Sequence, residues 1–394
     1  MNILYFTNEY KSNFTPPCGG IGTFIKVISD EIVKNNDHEV IIVFLSNVQK
    51  IIFDNKKKII FVKKTPSTLL KKISKFLLPK NLFFKVYNNI ERLYLALQLK
   101  KIVKHNNISI VEAYDYLAYF KYFNLLKIPI VVRCHGSASM LKEHFGYSSI
   151  NNMIVNYEKE VFSNAKNVLS VSNYSKEINI NYFTSAKIKT IYNGIDTELF
   201  KSIKDISIRE YSIYYFGTLS NHKGFLELLN IFKIIHSNNS KATLNFIGRG
   251  KKLFLETLQL EDYKKIKQSI LYHGVLSQEE LVLEVNRAHL IMFPSKGENF
   301  PFSFLEAMSM EKPIIVSDIG VSKEIINHKV NGYIAKTMED YVSFSNEIFE
   351  KKNDSNRMSS LARQSIIDRF SLKKMYLETI KYYSDILNND VINR

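Results

Sequence analysis

Cysteine, glycine, acidic side chains and long apolar runs are all scarce in this chain of 394 residues, and each shortage excludes a class of protein. Two cysteines only, Cys18 and Cys134, build neither a disulfide scaffold nor a four-thiolate zinc site, so a reducing compartment is the default. Lys, Asp or Glu interrupts every candidate run of 18 apolar residues, which argues against a transmembrane helix. The opening MNILYFTNEY puts Glu9 where a signal peptide is apolar and has no basic leader. It therefore reads as a first strand and points to a cytoplasmic protein. Asp and Glu number 38 against 54 Lys and Arg, a net charge of +16, which predicts attraction to nucleic acid, an acidic membrane face or a phosphorylated substrate. Glycine, at 14 residues, has about half its usual share, so each glycine cluster is informative.

What is present is a folded composition, 45% hydrophobic and 23% charged, long enough for two domains. Short β-branched runs alternate with amphipathic helix-length stretches, the pattern of parallel sheets with helical crossovers. In the first half, strands are expected at 3–7, 40–45, 59–62, 110–113, 130–134, 168–171 and 189–191. After the turn-rich Tyr192-Asn193-Gly194-Ile195-Asp196 and a polar stretch, the pattern restarts at 212–216 and continues at 243–247, 270–273, 290–293 and 314–317. The reading is an α/β protein of two doubly wound domains, 1–200 and 201–370, with a final helical segment, 371–394, that crosses back to the first domain. Ligands of such sheets sit at strand carboxyl ends, so the expected site is the cleft between the domains.

Residues 55–90 contain ten lysines and no acid. Leu69, Leu70, Ile73, Phe76 and Leu77 fall at helical spacing among Lys71, Lys72 and Lys75. This predicts a basic helix that either packs its apolar face on its own sheet or lies on an anionic membrane through 56–85. Nearby aromatics follow core rather than base-stacking patterns, so nucleic acid is not expected as a partner.

Gly19, Gly20 and Gly22 follow the first strand and precede a helix starting near Thr23, where small residues let backbone amides approach a phosphate or sugar. A tight turn alone would look the same. No Gly-Lys-Ser/Thr follows, and the third spaced glycine of a dinucleotide fingerprint is missing. The stronger signal is Pro294-Ser-Lys-Gly-Glu298-Asn-Phe-Pro301-Phe-Ser-Phe-Leu-Glu306. Two glutamates stand eight positions apart across a strand-to-helix junction, with Pro301 suited to the first helical position. A diphosphate at that helix start meets amide donors and the positive end of the dipole, with a carboxylate on either side for sugar hydroxyls. No Asp-x-Asp, His-Glu-x-x-His, Cys-x-x-Cys or Gly-x-Ser-x-Gly occurs, so a metal site, and any cofactor beyond a sugar-nucleotide substrate, is not expected.

The sequence resembles glycosyltransferase family 4, a retaining family of GT-B fold with two Rossmann-like domains facing across a cleft. The family's Glu-x7-Glu motif matches Glu298 and Glu306. GGIG at 19–22, HG at 135–136, YNGID at 192–196, FGTLSNHKG at 216–224, FIGRG at 246–250 and NGYI at 331–334 follow in the family's order. The resemblance implies that Glu298 binds donor-sugar hydroxyls, that the backbone of Asn299, Phe300, Pro301 and Phe302 holds sugar and diphosphate, and that Glu306 holds the ribose. It implies that Lys223 neutralises the leaving diphosphate, that His135 sits near the reacting carbon, and that Gly19 and Gly20 lie beside the donor phosphate. Gly248 and the segment His273–Leu276, with Val275, are expected to line the nucleotide pocket. A surface lysine, a structural histidine and plain turns are the ordinary alternatives for Lys223, His135 and the glycines.

One position departs from the family pattern: Thr218 stands where an arginine is common, so the diphosphate loses one of two usual cations. Lys296, His222 and Arg249 are the candidates to replace it. The implied activity is a retaining, metal-independent hexosyl transfer from a nucleoside diphosphate sugar to an acceptor hydroxyl on a glycan or lipid-linked intermediate of surface polysaccharide or lipopolysaccharide. It would take place in the cytoplasm or on the inner face of its membrane. A sugar-nucleotide epimerase of the same fold and an inactive nucleotide-sugar-binding homologue are the alternatives.

Overall fold

Near-continuous apolar strands such as Val40–Leu45 have no polar face to offer solvent, so they must be central in parallel sheets covered on both sides. The computed structural model, which describes residues 1–35, 38–64 and 79–392, has two such sheets in two units. One unit comprises Met1–Asn193 and Leu372–Arg394, the other Gly194–Ser371. The division thus falls between Asn193 and Gly194, a little earlier than the sequence boundary at 200.

The first unit holds β1 (Asn2–Thr7), β2 (Glu39–Ser46), β3 (Lys50–Asp54), β4 (Lys57–Lys63), β5 (Ile110–Tyr114), β6 (Ile130–Cys134), β7 (Asn167–Ser170) and β8 (Lys187–Thr190). Its helices are α1 (Gly20–Lys34), α2 (Lys80–His105), α3 (Ala138–His144), α4 (Asn152–Phe162) and α5 (Asn173–Asn179). The sheet order is β3-β4-β2-β1-β5-β6-β7-β8. All its pairs are parallel except β3 with β4. The hairpin strand β3 is absent from the sequence reading because its residues, Lys-Ile-Ile-Phe-Asp, form an edge with little burial. The basic helix expected over 69–77 lies outside the described residues.

The second unit carries β9 (Ser212–Phe216), β10 (Thr243–Ile247), β11 (Ile270–Gly274), β12 (Leu290–Phe293), β13 (Ile314–Ser317) and β14 (Tyr333–Ala335), ordered β11-β10-β9-β12-β13-β14 and parallel throughout. Its helices are α6 (Phe225–Asn238), α7 (Lys251–Thr257), α8 (Gln278–Asn286), α9 (Phe302–Ser309), α10 (Ser322–Ile325), α11 (Met338–Glu350) and α12 (Lys352–Arg369). Strand β14, three residues long, is too short to read from periodicity. The order reverses direction between β9 and β12, the position where a doubly wound sheet opens a crevice at its carboxyl edge.

The final helix, α13 (Leu372–Ile392), belongs to the first unit and packs on α1. A wholly buried polar cluster anchors it. Arg133 Nε and Nη2 donate to Glu112 at 2.8 and 3.1 Å, and the Tyr383 hydroxyl donates to the same carboxylate at 2.5 Å and meets Tyr5 Oη at 3.2 Å. A buried charge without partners is very costly, so the helix that completes the cluster is specified in position as well as in contact area.

Candidate functional site

In the second unit, two loops converge at the sheet's reversal point. The loop after β9 runs through Gly217, Thr218 and Asn221–Lys223, and ends at Gly224, whose φ of +74° suits glycine. A β-carbon at Gly224 would stand 1.9 Å from the Pro294 carbonyl oxygen, so this glycine sets how closely the loop approaches the one after β12. The Lys296 amide donates to the His222 carbonyl at 2.9 Å and stitches the loops together. Across this seam Lys223 Nζ donates to both oxygens of Glu298, at 2.6 and 2.5 Å. The Glu298 side chain is only 9% exposed against 34% for Lys223. A nearly buried carboxylate is thus neutralised by an ammonium that still reaches solvent.

Helix α9 starts directly after this pair. Pro301, expected as the first helical residue, is instead the N-cap, with φ −76° and ψ 125°, and Phe302 begins the helix. The correction moves the proline one position without changing its logic: it has no amide to orphan at the helix start. Glu306 lies one turn into the helix and is half-buried. Phe300 is buried, with its ring edge-on to Phe370 at 5.3 Å, so only its backbone is left for a ligand.

The neighbouring strand ends close the crevice floor. A β-carbon at Gly248, φ +133°, would lie 1.9 Å from the Gly217 carbonyl oxygen, so the ends of β9 and β10 touch through backbone. The Leu219 amide donates to the Arg249 carbonyl at 2.8 Å, which sets Arg249 beside Thr218. Lys296, in contrast, forms an ion pair with Glu227 at 2.6 Å. Val275, 69% exposed, follows β11 on the outer side of the sheet, and the His273 ring meets Asn245 Oδ1 at 3.0 Å instead of turning outward.

The first unit has its own reversal between β1 and β5, again with functional candidates at the carboxyl edge. Gly19 is the N-cap of α1 and Gly20 its first residue, so the glycines lie in the helix's opening turn, slightly earlier than the start expected near Thr23. The Glu9 carboxylate accepts the Gly19 amide at 2.8 Å. No heavy atom lies within 4 Å of where a Gly20 β-carbon would stand, whereas one at Gly22 would strike Cys18 at 2.6 Å.

His135 follows β6, its ring 4.7 Å from Phe24. Burial, and then the Arg133 guanidinium, push its imidazole pKa down to about 3, so it is neutral at physiological pH. Its backbone is fixed from below: Asp115, fully buried at the end of β5, accepts the His135 and Gly136 amides at 3.0 and 3.1 Å. Burial and the nearby Glu158 push the Asp115 carboxyl up to about 7. Glu158 in turn accepts the amides of Leu117, Ala138 and Ser139 at 2.7, 3.0 and 2.7 Å.

Sequence reasoning missed Asp115, Glu158 and Tyr215. The Tyr215 hydroxyl donates to the Thr218 carbonyl at 3.0 Å, and the Glu298 charge adds to the effect of burial in raising its pKa. An acid directly after an apolar strand was the one available signal for Asp115; Glu158 and Tyr215 look like ordinary helix and strand residues.

Comparison with known proteins decides the family. Residues 18–199 match Glycosyltransferase Family 4 and residues 196–365 match Glycosyl transferases group 1, so the two matches together run almost the length of the chain. The protein belongs to the family 4-type glycosyltransferases. This glycosyltransferase is 23% identical to an uncharacterized glycosyltransferase of Methanocaldococcus jannaschii over 74% of its own chain and 80% of the relative. It is 24% identical to the Escherichia coli UDP-Gal:alpha-D-GlcNAc-diphosphoundecaprenol alpha-1,3-galactosyltransferase, over 56% of its chain and 61% of that protein. Among solved structures, Anabaena HepE in complex with UDP superimposes with a TM-score of 0.73 at 16% identity, covering 98% of this chain and 100% of the other. The fold is GT-B. Among the described residues no helix is long and apolar enough to cross a membrane.

Proposed function

We propose that this glycosyltransferase moves a hexosyl group from a nucleoside diphosphate sugar to an acceptor hydroxyl, with retention of anomeric configuration and without a metal ion. The observation that carries the reading is the Lys223–Glu298 pair at the start of α9, at the reversal point of the second sheet. Departure of a nucleoside diphosphate builds negative charge on the leaving phosphate. An ammonium already positioned there and the amide end of a helix lower the cost of that charge, and removing one such donor typically costs about 100-fold or more in rate. Glu298 holds Lys223 in place before substrate arrives. With the diphosphate bound, Lys223 turns to the phosphate and Glu298 takes the hydroxyls of the sugar, while Glu306 takes the ribose.

Arg249 supplies the second cation that Thr218 lacks, because its backbone is bound beside that residue while Lys296 is engaged by Glu227. In the other unit, neutral His135 accepts a hydrogen bond from, or donates one to, the sugar near the reacting carbon, and the backbone of Gly19 and Gly20 meets the donor phosphate. The leaving phosphate accepts the proton of the incoming hydroxyl, so no side-chain nucleophile is needed. The acceptor is a glycan or lipid-linked intermediate; the diphosphoundecaprenol acceptor named for the Escherichia coli relative supports this choice, and the UDP held by HepE supports a nucleotide donor.

The test is a thermal-shift screen of UDP- and GDP-sugars, followed by product analysis with lipid-diphosphate acceptors. A donor that raises the melting temperature of the native protein but not of Lys223→Ala supports the assignment. Conversion of the donor to an epimer without any acceptor would replace transfer with epimerisation.

A further inference from the structure

Strand β5 leaves the first sheet through a strained turn. Ile110–Tyr114 is buried throughout, and Asp115 after it is fully buried. Two residues later the backbone enters the left-handed region: Leu117 has φ 63° and ψ 10°, and Ala118 has φ 47°. A β-carbon crowds the following carbonyl in that conformation, so leucine and alanine adopt it only where surrounding groups over-determine the backbone.

Two buried side chains from different helices supply that constraint. The Leu117 amide donates to Glu158 Oε1 at 2.7 Å, and the Leu117 carbonyl accepts from Arg92 Nη2 at 2.8 Å. Glu158, on α4, is fully buried, and Arg92, on α2, is 2% exposed. Both backbone polar groups of one strained residue are thus held. The Ala118 amide closes the turn by donating to the Asp115 carbonyl at 3.0 Å. Arg92 is itself fixed, because its Nη1 donates to Glu91 and its guanidinium lies 4.4 Å from the centre of the Tyr119 ring.

The same Glu158 carboxylate reaches a second loop. Oε1 also accepts the Ala138 amide at 3.0 Å, and Oε2 accepts the Ser139 amide and hydroxyl at 2.7 and 2.6 Å. That loop begins at His135, directly after β6, which pairs in parallel with β5. Capping alone does not account for the acid. Ser137 already caps α3 through the Met140 amide, and a helix cap has no need of Leu117 in another loop. Burying a carboxylate is costly unless hydrogen bonds satisfy it, and the bonds that do so here join the two loops. Asp115 ties them a second time through the His135 and Gly136 amides.

We propose that Glu158 and Arg92 are positioning residues of the transfer: they hold the left-handed turn after β5 and fasten it to the loop of His135, so that the carboxyl edge of the first sheet is set before substrate binds. Both are buried, so they act through the backbone of these loops and not on the substrate. The inference rests on the transfer reading, which puts the reacting sugar at His135. Holding reacting groups in place ahead of binding lowers the barrier, and a displacement of about 1 Å can slow a reaction about 100-fold. The donor diphosphate is assigned to the second unit, so loosening this clamp falls on turnover and acceptor KM and spares donor affinity.

The experiment compares the full chain with Glu158→Gln, Arg92→Lys and, as a control, Tyr383→Phe, which removes a buried hydrogen bond elsewhere in the same unit. Glutamine keeps one acceptor oxygen and turns N–H donors toward the remaining amides, and lysine keeps the charge but loses the planar fork that serves Glu91 and Leu117 together. Hydrogen exchange read by mass spectrometry needs no substrate. Glu158→Gln should speed exchange at least about tenfold in both 115–119 and 135–140, Arg92→Lys in the first segment alone, and Tyr383→Phe in neither. Transfer is then measured with the UDP- or GDP-sugar that most raises the melting temperature and a lipid-diphosphate acceptor. In both variants kcat should fall about 10-fold to 100-fold and acceptor KM should rise, while donor affinity by calorimetry stays within about twofold of the parent. If Glu158→Gln does not fold, Ser139→Ala, which removes only the hydroxyl bond, replaces it with the same pattern at smaller size. The proposal is overturned if Glu158→Gln changes exchange in one segment or none. It is also overturned if Tyr383→Phe lowers kcat as much as Glu158→Gln at the same offset from each melting temperature, which would make the role merely structural. A parent that transfers no sugar while exchange behaves as expected would instead sink the transfer reading, and the positioning role with it; a failed exchange result sinks the clamp and leaves transfer standing.

Discussion

Lys223 Nζ stands within 2.6 Å of both carboxylate oxygens of Glu298, so the ammonium assigned to the leaving phosphate and the carboxylate assigned to the sugar begin as partners of each other. Each holds the other in orientation, and the ammonium neutralises a carboxylate that is nearly buried. Removing the lysine therefore has two separable effects. Lys223→Ala is expected to lower kcat/KM at least about 100-fold and to cost about 1–3 kcal/mol of stability through the unpaired Glu298. Glu298→Ala should match the first loss with a smaller second one, since Lys223 reaches solvent. Steady-state kinetics and urea unfolding read the two effects; equal stability losses would contradict the buried-acid account.

Gly224 and Gly20 make a paired test of backbone approach. Gly224→Ala places a methyl 1.9 Å from a carbonyl oxygen at a positive φ, while Gly20→Ala meets open space. The first should destabilise the second unit by about 3 kcal/mol or more and part the Lys223 and Glu298 loops. The second should stay within about 1 kcal/mol of the parent and show its effect, if Gly20 lies beside the donor, in donor KM. Differential scanning calorimetry decides between them.

His135 gives the acid side of the stability profile a definite sign. Its folded pKa, about 3, lies below the unfolded value of about 6.5. The unfolded chain therefore takes up a proton as pH falls below about 6.5, and the folded chain does not until about 3. The stability associated with this residue is complete above that window and is lost as pH falls through it. His135→Gln should flatten the decline of the urea midpoint between neutral pH and about 4.5; an unchanged slope would mean the ring is already charged in the folded state.

Arg249 and Lys296 separate two ways of replacing the missing arginine. Arg249→Ala should raise the donor KM about tenfold, the scale of one charge-assisted contact, while Lys296→Ala, which breaks only the Glu227 pair, should leave it nearly unchanged. The reverse pattern would move the second cation to the other loop. Chelation supplies a companion measurement: transfer in excess EDTA should proceed at the untreated rate, and a large drop would mean that a metal ion shares the diphosphate.

Tyr383→Phe probes the anchor of α13. The variant removes the hydroxyl that donates to Glu112 and leaves that buried carboxylate with Arg133 alone. A loss of about 1–3 kcal/mol is expected, seen as a lower melting temperature for the first unit. A neutral outcome would show that the helix is held by apolar packing only.

The α/β class, the two-unit organisation and most strands are legible in the sequence because each depends on local composition. Fully apolar runs can only be central strands, and Ile130–Cys134, Ser212–Phe216, Thr243–Ile247, Leu290–Phe293 and Ile314–Ser317 were readable to the residue. The carboxylate spacing of Glu298 and Glu306 and the glycine clusters were equally visible, since they are chain-local. Edge strand β3 and the three residues of β14 were not, because what makes them strands is the partner beside them rather than their own pattern.

Tertiary structure decided the rest, and for one reason: a hydrogen bond or an ion pair between distant residues leaves no periodic trace. The sequence could name Lys223 and Glu298 but not bring their charges together across 75 positions. It gave no hint that Asp115 and Glu158 hold the amides around His135, or that Tyr383 closes a buried cluster with residues more than 200 positions away. The middle of the basic surface read at 56–85 lies outside the described residues, and the pairing of Ile51 and Phe53 with β4 is a juxtaposition that exists only after the sheet has formed. Composition fixes which side chains must leave water; the register of the sheet fixes which ones remain in it.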